Sequence, residues 1–138
     1  MHLLSKLPPI MENKNIRKAA LDWFGKTYKD ATGEIFTSKF YTSQESWSKT
    51  RVWFFQIPLD VVYSQPVKNI HLLCENHLSG DAFIYLKVPS LFFLKNLKSF
   101  DVSDKEKVVR IYLSAEAADM FTEVRGKDKV DFNKFRIN

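Results

Sequence analysis

At 138 residues and 45 % hydrophobic content, the chain is the size of one ordinary domain with a real core, which excludes global disorder. One cysteine, Cys74, excludes an intramolecular disulfide and a cysteine-built zinc cage, and points to a reducing compartment, the cytoplasm. The net charge of +5 invites an acidic partner, but the excess is diffuse. Lys/Arg outnumber Asp/Glu by eight to five in residues 1–50, by five to three in 51–100, and balance at eight each in 101–138.

No segment reaches the roughly 20 apolar residues that span a bilayer, so no membrane association is expected. His2-Leu3-Leu4-Ser5-Lys6-Leu7 lacks the apolar core of a signal peptide, and Pro8-Pro9 favours an extended arm over residues 1–12. A single domain is expected over residues 13–138.

Asn15 to Ala31 reads as a helix, because Ile16, Ala19, Ala20, Trp23 and Phe24 recur at three- and four-residue spacing. Gly33 is its natural stop. Glu34 to Tyr41 reads as a strand, and the polar stretch Thr42 to Thr50, which carries Trp47, as a loop. Arg51 to Ile57 is apolar on both alternating faces, the pattern of a central strand, and Pro58 ends it. Ile70 to Cys74 and Ala82 to Val88 flank a turn-rich connection and read as a hairpin. Leu91 to Phe100 reads as a helix after Pro89, Asp101 to Glu106 as a charged loop, and Lys107 to Leu113 as a strand. Ser114 is placed to cap a last helix, Ala115 to Val124, closed by Gly126. Val130, Phe132, Phe135 and Ile137 predict a tail that docks on the body.

The fold class that follows is α+β: one mainly antiparallel sheet of four to five strands, with an N-terminal helix and two helices from the C-terminal half packed on it.

Most familiar chemistries find no residues here. Four glycines, at 25, 33, 80 and 126, cannot write a Walker A loop or a dinucleotide turn. No Gly-x-Ser-x-Gly elbow and no His-Glu-x-x-His helix exist, and no resident metal or cofactor is expected. Cys74 lies three residues from both His71 and His77, so strand alternation points the thiol away from each imidazole.

One enzyme class shares the element order. Nucleases with a PD-(D/E)xK core need two carboxylates converging on Mg²⁺ beside a lysine. The sole acid-x-Lys here is Glu12-Asn13-Lys14, ahead of the first helix. Asp60, Glu75 and Asp81 form a degenerate alternative set, and element order alone is analogy.

The balance falls against an enzyme and toward a small binding domain. Tyr85 and Lys87 share one side of their strand, and Arg110 and Tyr112 share one side of theirs. Were those sides coplanar and exposed, the four would make an aromatic-basic platform on which unpaired bases stack while cations meet phosphates. A second basic set, Arg125, Lys127, Lys129, Lys134 and Arg136, is interleaved with Phe132 and Phe135 and diluted by Asp128 and Asp131. Twelve Phe, five Tyr and three Trp also suit a homodimer that buries an apolar patch.

Overall fold

The computed structural model describes residues 9–29, 31–64, 68–77 and 81–138, with side chains from residue 16 onward. Helix α1 (Pro9–Thr27) is followed by β1 (Glu34–Ser38), β2 (Phe40–Tyr41), β3 (Val52–Pro58) and the short helix α2 (Leu59–Val62). Then come β4 (Asn69–Glu75), β5 (Phe83–Pro89), helix α3 (Ser90–Lys95), β6 (Asp101–Ser103) and β7 (Val108–Ser114). The class is α+β, as its periodicity predicts, but the strands divide between two sheets instead of forming one. One sheet has three strands in the order β1-β4-β5, the other four in the order β2-β3-β7-β6. Every ladder is antiparallel except β1 with β4.

The inward faces of the two sheets make the main core. Ile70, Leu72, Cys74, Ile84, Leu86 and Val88 come from one sheet, and Trp53, Phe55, Ile57, Val109, Ile111 and Leu113 from the other. Each set alternates along its strands, which is the period-two signal seen in the sequence. On the opposite side of the three-stranded sheet, Ala20 and Phe24 of α1 pack on Leu73, Phe83 and Tyr85. No helix among the described residues is long and apolar enough to cross a membrane.

The split into two sheets happens at one residue. The predicted strand from Glu34 to Tyr41 does form, but it breaks at Lys39, so that β1 pairs with β4 and β2 pairs with β3. Such a corner frees ladder groups that need other partners. Ser38 Oγ accepts the Phe54 N–H at 2.8 Å. Glu75 Oε1 accepts the Phe40 N–H at 2.7 Å, and the Trp53 Nε1–H donates to the Glu75 carbonyl at 2.9 Å.

Four elements depart from the sequence reading. Helix α1 begins at Pro9, inside the stretch read as an extended arm, and stops at Thr27; proline is well suited to a first helical position. Leu91 to Phe100 is helical only to Lys95, with a 3-10 turn over Leu97–Ser99. Asp101–Ser103, read as loop, is an edge strand of the larger sheet. The helix expected over Ala115 to Val124 is absent. There Phe121 is fully buried at φ 67°, its N–H donates to the Ser114 carbonyl, and Leu113 bridges Glu123. Pairing with β7 and burial of one phenyl ring outweigh a favourable helix composition. The tail docks as expected, with Phe132 fully buried and Arg136 bridged to Leu86.

Glu75→Ala is expected to destabilise the domain by about 1–3 kcal/mol, because it strips the partner from the Phe40 N–H at the corner. Glu75→Gln keeps an acceptor and should lose clearly less. Urea unfolding of the two variants checks this, and equal loss in both would show that the carboxylate charge, not the hydrogen bond, matters.

Candidate functional site

The four platform candidates separate into two pairs on two sheets. Tyr85 and Lys87 lie on β5 of the three-stranded sheet, and Arg110 and Tyr112 on β7 of the four-stranded one. Each pair does share a side of its strand, but the two sides are not one surface.

The β5 pair faces α1. Tyr85 is only 2 % exposed, with Phe24 edge-on at 5.1 Å and Tyr28 at 4.8 Å. Its hydroxyl meets His71 Nδ1 at 2.7 Å, while His71 Nε2 meets the Thr32 carbonyl at 2.7 Å. A carbonyl only accepts, so Nε2 carries the proton and the tyrosine O–H donates to Nδ1. Burial pushes the Tyr85 phenol up to about 12, so it stays neutral. Burial also lowers His71, opposed by its bond to Thr32 and reinforced by the charge of Lys87. Tyr85 therefore acts as a packed, hydrogen-bonded core residue, and Lys87 stands exposed at the helix edge.

The β7 pair lies on the outward side of the four-stranded sheet. There the register sets Phe54 opposite Tyr112 and Gln56 opposite Arg110. The Phe54 and Tyr112 rings are 4.6 Å apart between centroids, and both are half-buried. Trp47, which is 56 % exposed, leans on Tyr112 at 5.5 Å. The Arg125 guanidinium sits 4.3 Å from the Trp47 ring and 5.4 Å from the Tyr112 ring. Arg125 Nε is 3.1 Å from Asp101 Oδ2, and Arg110 Nη1 is 3.8 Å from the same oxygen. Arg110 also pairs with Glu106.

Two local devices hold this group. The loop before β3 is set by Thr42 and Glu45: Glu45 Oε1 accepts the Thr42 N–H at 3.0 Å, and the Glu45 N–H points back at Thr42 Oγ1 at 3.4 Å. This Thr-x-x-Glu box fixes the turn that presents Trp47. The bond from Thr42, more than the nearby Lys39 ammonium, holds the Glu45 carboxyl below its usual range. Alongside β7, Glu123 is buried and its carboxylate accepts the N–H groups of Tyr112, Arg125 and Gly126 at 2.9, 3.3 and 2.7 Å. Burial raises its pKa, and those three bonds oppose the rise. Glu123 thereby ties Arg125 to the strand that carries Tyr112.

A cleft of about 140 Å³ is lined by Trp47, Tyr112, Phe54 and Tyr41 together with Glu45, Ser46 and Val52. Of these, strand alternation in the sequence points to Tyr112 alone. The box Thr42-Ser43-Gln44-Glu45, five residues before Trp47 from its first member, was the available signal for an ordered loop.

The three carboxylates of the nuclease alternative are not gathered. Asp60 follows the end of β3, whereas Glu75 bonds to the Trp53 indole near the start of that strand, roughly 15–20 Å of extended chain away. Glu75 is engaged at the sheet corner, and Asp81 accepts a bond from Asn138 at 3.1 Å. Among the described residues no three His, Cys, Asp or Glu side chains are grouped to hold a metal ion. Cys74 is fully buried on the inward face, its thiol pushed well above the ordinary range, while His71 lies on the opposite side of β4. No protein-family model, no curated protein and no solved structure matches the chain.

The His71 pair predicts a pH dependence of stability. A histidine whose folded pKa is depressed costs nothing above its unfolded value of about 6.5, and folding weakens as pH falls from there toward the folded value. His77, also lowered by burial, adds in the same direction. Urea unfolding at about pH 7.5 and about pH 5.5 should show wild-type losing more stability on acidification than His71→Gln. Equal losses in the two proteins would remove His71 from the account.

Proposed function

We propose that the outward face of the four-stranded sheet binds single-stranded nucleic acid, and that the domain is a binding module without catalytic chemistry of its own. The observation that carries this reading is the group of Trp47, Tyr112 and Phe54 rings with the Arg125 guanidinium 4.3 Å from the exposed indole. Aromatic faces stack on any unpaired base, and arginines beside them meet the linking phosphates. Arg110, Tyr112 and Arg125 belong to this face, while Tyr85 and Lys87 belong to the other sheet. The chain's excess of positive charge favours the same class of ligand.

Both arginines already face carboxylates, Asp101 and Glu106. A phosphate must compete for them, so stacking supplies most of the affinity and few counterions are released. Binding of fluorescent oligonucleotides is then expected near the micromolar range for single strands, weaker for duplex, and with a shallow dependence on salt. Trp47→Ala removes one stacking ring and should cost about 1–3 kcal/mol of binding with little change in melting temperature. Arg110→Ala should weaken binding to a smaller degree. No binding at low salt, or binding indifferent to Trp47→Ala, rejects the reading.

A further inference from the structure

We propose that the cleft lined by Tyr41, Trp47, Phe54 and Tyr112 is a pocket for one unpaired nucleobase, and that Glu45, which also lines it, selects bases bearing an exocyclic amine. The inference rests on the nucleic-acid reading of this face and adds a specificity to it.

The cleft holds about 140 Å³ and is lined by the rings of Tyr41, Trp47, Phe54 and Tyr112. That is room for a single planar ring system among aromatic walls. Bases in a duplex are stacked and paired, so the occupant has to be an unpaired base turned out of its strand. Most of the lining is sequence-tolerant, since every base has a π-face. Glu45 is the exception, because an ionised carboxylate can only accept hydrogen bonds.

A carboxylate offers about four acceptor sites. Among the described residues three are taken, by the Thr42 N–H at 3.0 Å and the Thr42 hydroxyl at 3.2 Å on Oε1 and by Lys39 Nζ at 3.2 Å on Oε2. One acceptor direction remains for a ligand. Cytosine, adenine and guanine present an amino group on the pairing edge, which a glutamate accepts. Uracil places its single ring N–H between two carbonyl oxygens, and both meet a carboxylate with repulsion. The loop that carries Glu45 is fixed by its own capping box, so the carboxylate is positioned before any ligand arrives. The same residue therefore sets the turn and reads the base.

The test compares oligodeoxycytidine with oligodeoxyuridine of equal length, by fluorescence anisotropy, on wild-type and Glu45→Gln. Glutamine suits the same position of the capping box, so the loop is retained; its amide also donates, which serves uracil as well as cytosine. The expected result is about a tenfold preference for cytosine in wild-type that is levelled in Glu45→Gln. Equal wild-type affinity for both oligomers overturns the base pocket and leaves the sheet-face reading standing. A preference that persists in Glu45→Gln overturns the role of Glu45. Failure of wild-type to bind either oligomer overturns both readings. Should Glu45→Gln melt early, Glu45→Asp takes its place, which keeps the charge but draws the carboxylate back by one methylene: a cytosine preference as large as in wild-type overturns the role of Glu45.

Discussion

The fold depends on the corner at Ser38, Lys39 and Phe40, where one strand leaves the first sheet and enters the second. A strand that changes sheets exposes backbone donors in the middle of a protein, and each unpartnered donor costs about 1–3 kcal/mol. Here Ser38 Oγ takes the Phe54 N–H and Glu75 takes the Phe40 N–H. Trp53 then ties the corner to the end of β4 through its indole. With those bonds in place the two inward faces close on each other, and the outward face of β3 and β7 is left to the Trp47 loop.

The strands were readable because their apolar residues alternate, and the parity of each side was readable with them. Tyr85 and Lys87 do share a side, as do Arg110 and Tyr112. The number of sheets was not, since nothing in Glu34 to Tyr41 marks Lys39 as a switch: the pairing partners that decide it, β4 and β3, lie far along the chain. The absent helix over Ala115 to Val124 has the same origin. Alanine and glutamate favour helix locally, but Phe121 is drawn into the core against Trp53, 5.2 Å away with the two rings stacked nearly parallel, and the backbone follows it.

The site was legible in fragments. Strand parity puts Tyr112 and Arg110 on one side of their strand, and Trp47 is an aromatic residue in a polar loop. What joins them is tertiary. Arg125 reaches Trp47 because Glu123, buried alongside β7, binds the backbone on both sides of the junction. A sequence shows Glu123 as one more acid in a mixed-charge segment. Its burial, and so its part in placing Arg125, appears only when β7 and the tail are packed together.

The electrostatics of the face argue for selectivity over strength. Asp101 lies between two guanidinium groups, so the arginines arrive at a ligand already partly neutralised. These pairs are half-buried at the surface, where an ion pair adds little to stability, about 0–1 kcal/mol, so their larger effect is on what they orient. Asp101 and Glu106 hold the guanidinium of Arg110 against the sheet, and Asp101 steers Arg125 over the rings. A surface of free lysines would bind any polyanion. On the proposed reading, a surface of tethered arginines beside a ring-lined cleft would discriminate by what can stack and what can donate to a fixed carboxylate, since its non-specific attraction is small.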